Sequence, residues 1–233
     1  MKSASFDVLV CGVGGQGVVA LAKLLAVAGQ ESPGVVDVVG SETRGVAQRE
    51  GVVAATVRWV TDEAAVGSVS PRLPRGSADL VVALELHEAF RHAGYYHPDA
   101  VVLVDDLQLL PKAVPAGAKL GASPVDELVA LLKRHVPRTR VVPAHGVAVE
   151  RFGDYVQAGV LAFCSLYGEG SPLRPPVTRE AFERAVARRF PGKSAPLEAV
   201  ALGASCRWTP RGPTWDDAND EGEANEGNDE EVA

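Results

Sequence analysis

The stretch VLVCGVGGQGVVALAKLL, Val8 to Leu25, carries glycines at Gly12, Gly14 and Gly17, the spacing G-x-G-x-x-G, between a short β-rich run and a long apolar segment. At that spacing the first glycine permits a tight turn, the second lets backbone approach a ligand or another chain, and the third lets the helix lie close to the strand. The helix start, from Gly15 to Val18, then offers unpaired N–H groups to an anion such as a phosphate. A dinucleotide site also needs an acidic residue for the ribose at the end of the second strand, and the candidate is Glu42. Glu42 instead belongs to a continuous polar stretch, SETRGVAQREG from Ser41 to Gly51, that no dinucleotide site requires. It gathers Arg44, Gln48, Arg49 and Glu50 around Gly45, and its guanidiniums can grip a carboxylate or phosphate bidentately. Without a functional role the same stretch is a solvated loop or short helix with ion pairs.

Other side chains invite chemistry with less reason. Asp105 and Asp106 close an apolar run, where an acid–base pair or simple backbone capping are both available. His145 follows Pro143 at the expected carboxyl end of a strand and could meet a ligand. His87, His92 and His97 recur every fifth residue, which turns them off a common helical face, so surface or capping roles are expected and a metal site is not. Cys11, Cys164 and Cys206 are far apart and form no C-x-x-C pair, which argues against a disulfide framework, a zinc site or an iron–sulfur cluster held by this chain. Cys11 reads as a small buried hydrophobe.

The elements that must position these residues alternate. FDVLVC (Phe6 to Cys11), VVDVVG (Val35 to Gly40), GVVAATVRWV (Gly51 to Val60), DLVVAL (Asp79 to Leu84), AVVLVDD (Ala100 to Asp106) and TRVVPA (Thr139 to Ala144) read as strands. Val18 to Ala28, charged only at Lys23, reads as a helix packed on several sides, by a sheet and by another subunit. Glu85 to His92 is a second helix. SPVDELVALLKRH, Ser123 to His135, is a third, with a serine cap, proline at its first position and basic residues in its last turn. Glu150 to Tyr167 and Thr178 to Phe190 read as two more, split by GEGSPLRPP. The expected fold class is α/β: a Rossmann-like, mostly parallel sheet with helices on both faces, the loops after its strands gathered on one edge.

Length bounds the rest: 233 residues suit one large α/β domain with a tail. Nine acidic residues and no basic one lie between Asp216 and Glu231, so the net charge of −7 is a property of the tail, and the preceding chain holds 23 basic against 21 acidic side chains. Residues 207–233 are poor in aliphatics, and ordering costs of roughly 1–2 kcal/mol per residue predict a disordered acidic tail after a domain of residues 1–206. Trp208 and Trp215 could hold to the fold or to a partner. No basic stripe with interleaved aromatics suggests nucleic acid. No apolar run of 18 residues and no leader before the first strand suggest a membrane or a secretory route, so a cytoplasmic location is expected.

Taken together, GVGGQGVV, then S-E-x-x-G-x-A-Q-R-x-G-x-V, then SPRLPRGSADLVVALELHEAFR resemble the gamma-type domain of the 2-oxoacid:ferredoxin oxidoreductases, in the branch of the separate small subunit of indolepyruvate ferredoxin oxidoreductases. The likeness continues to RRFPGKSAPLEAVALG and spans roughly residues 5–203. It implies a subunit that binds no cofactor itself, beside a large alpha subunit carrying thiamine diphosphate, Mg2+ and [4Fe-4S] clusters. That enzyme would decarboxylate indolepyruvate or another aryl-pyruvate oxidatively, reduce ferredoxin and release the acyl group to coenzyme A as co-substrate. It also implies that Gly12, Gly14, Gln16 and Gly17 serve an interface or coenzyme A instead of NAD. Ser41, Glu42, Arg44, Gln48 and Arg49 would face substrate or partner, with Gln48 and Arg49 the catalytic candidates. The chain departs from the family at Arg44, Val46 and Glu50, where histidine, methionine and glycine are usual, so pyruvate or 2-oxoglutarate remain alternatives. A stand-alone NAD(P)- or FAD-binding Rossmann protein is the reading from a different class.

Overall fold

Strand β1 (Ser5–Val13) follows from a run that is apolar at successive positions: Val8, Leu9, Val10 and Cys11 are all buried, as happens only where both faces of a sheet are covered. The computed structural model describes residues 4–44, 51–109 and 124–215. Around β1 stand β2 (Asp37–Arg44), β3 (Val52–Val60), β4 (Ala78–Ala83), β5 (Tyr96–Val104) and β6 (Thr139–Val141), in the spatial order β2-β3-β1-β4-β5-β6. Pairs β1–β4, β4–β5 and β5–β6 are parallel, whereas β3 runs antiparallel to both β1 and β2. Five strands therefore share one direction and β3 is inverted. Crossover pairing throughout does not hold at β3: too few residues separate Arg44 from Val52 for a parallel crossover, which takes about a dozen or more.

Helices cover both faces. On one, α1 (Val18–Gln30) lies on β1, β2 and β3, and α6 (Arg179–Arg189) of the same chain packs on its other flank. Trp59 anchors that side: fully buried, it stacks on Phe6 with centroids 5.6 Å apart and donates its indole N–H to the Leu25 carbonyl at 3.1 Å. Helices α4 (Ala144–Phe152), α5 (Ala158–Cys164) and α7 (Ala195–Ser205) complete the layer around Phe163 and Phe182. The opposite face of β1, β4 and β5 is covered by α2 (Leu86–Arg91) and α3 (Val125–His135), through Leu86, Ala89, Val129 and Leu132.

Several expected boundaries move. The second strand begins later and runs on through SETR, because Ser41, Glu42, Thr43 and Arg44 pair in register with Thr56, Ala55, Ala54 and Val53. The expected helix at Glu150 to Tyr167 is two helices, α4 and α5, separated by Gly153 in left-handed geometry (φ 68) and a 3-10 turn at Tyr155–Gln157. The closing segment adds α7, which the sequence reading does not assign. Helix α3 starts at Val125 with Pro124 at the cap position, and Ser123, the expected cap, lies outside the described residues. The tail reading is corrected for residues 207–215. Arg207–Trp208 (β7) and Pro213–Thr214 (β8) pair as a small hairpin, and Trp208 and Trp215 pack on the core, their apolar area offsetting the ordering cost. Residues 216–233 lie outside the described residues.

Candidate functional site

The carboxyl edge of the parallel strands is where the sequence placed its ligand, and the ends of five strands, β1, β2, β4, β5 and β6, meet there. The glycine turn is the first. Gly12 stays inside β1; a Cβ there would come within 2.6 Å of Gln16 Oε1, 3.1 Å of Val18 Cγ2 and 3.2 Å of Leu84 Cβ. The close approach thus belongs to Gly12, and the left-handed turn residues are Gly15 (φ 104) and Gly17 (φ 81). Gly17 is the N-cap of α1, without a side-chain cap, and faces the Val156 carbonyl instead of the first strand. Gln16 is buried and committed inward: its Oε1 accepts from the Val13 amide at 2.6 Å, and its Nε2 donates to the Leu84 carbonyl at 2.9 Å. Its amide group ties the ends of β1 and β4 together.

Gly14 supplies the next connection. Its N–H donates to the Gly51 carbonyl at 2.9 Å, so the point where SETRGVAQREG re-enters the sheet is fastened to the glycine turn. The same segment leaves the sheet from the end of β2, which is parallel to β1, so both of its ends stand on the carboxyl edge. Within β2 the pleat divides SETR. Ser41 shares hydroxyl–hydroxyl contact with Thr56 at 2.9 Å, and Ser41 and Thr43 line the face away from α1, while Glu42 reaches Lys23 of α1 at 3.8 Å. Arg44 stands opposite Val53 in register. Gln48 and Arg49, with Gly45, Val46 and Glu50, lie outside the described residues.

Beside the glycine turn, the ends of β4, β5 and β6 carry acidic and aromatic groups. Glu85, buried just after β4, caps α2 by accepting from the Glu88 amide at 2.8 Å, accepts from the Leu109 amide at 3.0 Å and meets His87 Nδ1 at 2.7 Å. Sequence reasoning passed over Glu85, although a carboxylate directly after an apolar strand is the signal that singled out Asp105. Asp105 is buried and accepts from the Leu107 amide at 3.1 Å and the His145 amide at 2.7 Å. Burial above all raises its carboxyl to about 7 against the pull of those two donors, and charge repulsion and hydrogen bonding from neighbouring Asp106 contribute to that rise. The His145 ring stacks on Tyr155 with centroids 5.3 Å apart, and Tyr155 Oη faces Gly15. His145 thus stands at the edge, as expected, and the aromatic partner that orients it comes from a segment no local pattern linked to it.

The remaining candidates are dispersed. His87 and His92 bond to Glu85 and to the Glu88 carbonyl, and His97 lies 3.9 Å from Asp99. Cys11 is fully buried, and burial drives its thiol far above its ordinary value. Among the described residues, no group of three or more His, Cys, Asp or Glu could hold a metal ion, and no helix is long and apolar enough to cross a membrane.

Comparison with known proteins bears on what this edge serves. Residues 7–206 match the family of pyruvate ferredoxin/flavodoxin oxidoreductases. The chain is 32% identical over 197 residues, 84% of this chain and 91% of the relative, to indolepyruvate oxidoreductase subunit IorB of Archaeoglobus fulgidus. Its fold resembles pyruvate oxidoreductase subunit PORC of Thermotoga maritima, with a TM-score of 0.58 at 17% identity, covering 87% of this chain and 96% of the other. It also resembles the 2-oxoglutarate:ferredoxin oxidoreductase of Magnetococcus marinus solved with 2-oxoglutarate, coenzyme A and succinyl-CoA, with a TM-score of 0.59 at 15% identity, covering 87% of this chain and 31% of that one. At such identities the structural likeness concerns the fold.

Proposed function

We propose, for a chain that belongs to the pyruvate ferredoxin/flavodoxin oxidoreductase family, the part of small subunit in a 2-oxoacid:ferredoxin oxidoreductase whose substrate is indolepyruvate or a related aryl-pyruvate. The complex would hold thiamine diphosphate with Mg2+ and [4Fe-4S] clusters in a large alpha subunit, reduce ferredoxin and take coenzyme A as co-substrate. The cofactors would supply the decarboxylation and the electron path. This chain would supply shape and charge at their rim. The dispersal of its buried cysteines, Cys11, Cys164 and Cys206, fits a subunit that leaves the clusters to its companion.

The observation that supports this role is the Gly14–Gly51 hydrogen bond. It brings the glycine turn and both ends of SETRGVAQREG to one edge, so a companion seated there would meet the helix start and the polar segment together. Gln48 and Arg49 are the residues proposed to stand nearest substrate or coenzyme A, with Ser41, Glu42 and Arg44 leading into them. Gly12 and Gln16 hold the turn in shape, Gly14 fastens it to Gly51 and Gly17 caps α1. The arginines suit a carboxylate or phosphate.

Reconstitution with the large subunit tests the reading. Arg49→Ala should leave assembly and the melting temperature of the small subunit unchanged and lower turnover of indolepyruvate by roughly tenfold or more, the scale of one charge-assisted hydrogen bond. Unchanged kinetics in an assembled complex would reject the role, and activity or tight NAD(P) or FAD binding by the chain alone would reject the subunit reading itself.

A further inference from the structure

One face of the sheet is left open. Helices α2 and α3 cover β1, β4 and β5, but no described element lies over the same side of β2 and β3. The result is a groove of about 240 Å3, a size below that of pockets for drug-sized ligands, roughly 300–1,000 Å3. Its floor is apolar, from Leu9 of β1, Val52 and Ala54 of β3, and Leu73. Its β2 side is a row of hydroxyls, where Ser41 is bonded to Thr56 and Thr43 stands exposed. The opposite wall is aromatic, from His92 and Tyr95, whose rings lie 6.4 Å apart.

Two features make this more than an uncovered surface. The guanidinium of Arg72, which lines the groove, makes no hydrogen bond or ion pair among the described residues. The loop that carries Arg72 is also held firmly. Arg58 donates to the Ser70 carbonyl at 2.8 Å while gripping buried Asp7, and Thr56 donates to the Pro71 carbonyl at 3.1 Å, so the backbone on either side of Arg72's neighbour is bonded to β3. A positioned, unpaired cation beside an apolar floor and an aromatic wall is complementary to an anion with a flat apolar body.

We propose that this groove binds a small aromatic carboxylate, its carboxylate on Arg72 and the exposed hydroxyls, its ring on Leu9 and Ala54 beside Tyr95. The site goes beyond the functional reading above, because it is built from this chain alone and requires no companion subunit or cofactor.

Calorimetric titration of the full isolated chain with phenylacetate and indole-3-acetate tests it, with acetate, inorganic phosphate and neutral indole as comparisons. Both aryl acids should bind with a dissociation constant of about 1 mM or tighter. Arg72→Gln should weaken them roughly tenfold, and Ala54→Phe, which fills the floor, should abolish binding; Thr43→Trp blocks the same space from the exposed rim should Ala54→Phe not fold. Three results would overturn the proposal: no binding of either aryl acid, binding that survives these substitutions in folded protein, or equal binding of acetate, phosphate or indole. The last would mean that charge or ring alone is recognised.

Discussion

The amide of Gly14 donates to the carbonyl of Gly51 across 2.9 Å, joining two motifs that lie 37 positions apart in the chain. The bond crosses from the end of β1 to the start of β3, its antiparallel neighbour, and so extends the sheet's own ladder into the glycine turn. The Gly14 amide is therefore expected to exchange with solvent at the slow rate of the sheet, not at the fast rate of an open turn. Residue-resolved hydrogen exchange on the isolated chain measures this, and fast exchange at Gly14 would show that the polar segment is not fastened there.

Gly12→Ala should destabilise the chain by about 1–3 kcal/mol, because the added methyl lands on Gln16 Oε1 and presses on Val18 and Leu84 in a packed site. Displacing Gln16 would also free the Val13 amide and the Leu84 carbonyl. Chemical denaturation gives the magnitude. Gly34→Ala is not an equivalent control, since Gly34 has positive φ, whereas Gly146 meets nothing within 4 Å and should tolerate alanine with little loss.

Asp105 should make stability depend on pH in an unusual sense for a carboxylate. Its folded value, about 7, lies above the ordinary 3.8, so the native state holds the proton more tightly than the unfolded chain does. Its contribution is then fully present below about pH 3.8 and is lost as pH rises through about 7. Compared with Asp105→Asn, the wild-type chain should lose relative stability across that window. Denaturation midpoints of the two proteins measured from pH 4 to pH 8 check the sign, and parallel curves would contradict it.

Arg58→Met should cost about 3–5 kcal/mol, since it strands the buried Asp7 carboxylate that the guanidinium holds at 2.8 and 3.0 Å. The same substitution releases the Ser70 carbonyl. Limited proteolysis should accordingly cut between Val66 and Ser77 faster in the variant than in the wild type, even under conditions where both are folded. Equal cutting would mean that the loop is held by other contacts.

Trp59→Phe keeps most of the apolar area but removes the donor to Leu25, and Gly29 passes so close that a Cβ there would come within 2.6 Å of the indole. A loss of about 1–3 kcal/mol is expected. Thermal denaturation followed by circular dichroism measures it.

Much of the fold was legible because the controlling signals are local. The buried run Val8 to Cys11, the apolar helix after Gly17 and the strands ending at Ala83 and Val104 each lie within a short window of sequence. The site was legible in part. Asp105 and His145 were singled out as strand-end residues, but their joining through the His145 amide depends on β5 and β6 lying side by side. Glu85 carried the same strand-end signal as Asp105 but was passed over, whereas Tyr155 belongs to no recognisable spacing and meets His145 only after folding.

By itself, then, the amino-acid order determined the six strands of the sheet and the helices α1, α2, α3 and α6 to within a few residues, that a glycine turn joins the first strand and helix, and that SETRGVAQREG is chemically unlike a dinucleotide site. Only the tertiary structure decided that β3 is inserted upside down between β1 and β2, that SETR is the end of an edge strand, and that Ser41 and Thr43 open onto a groove beside Arg72 while Glu42 turns to Lys23. The reason is physical. Periodicity and turn chemistry act over a few residues and leave their mark there, whereas strand order and register are settled by pairings between distant segments, whose free energy no short window contains.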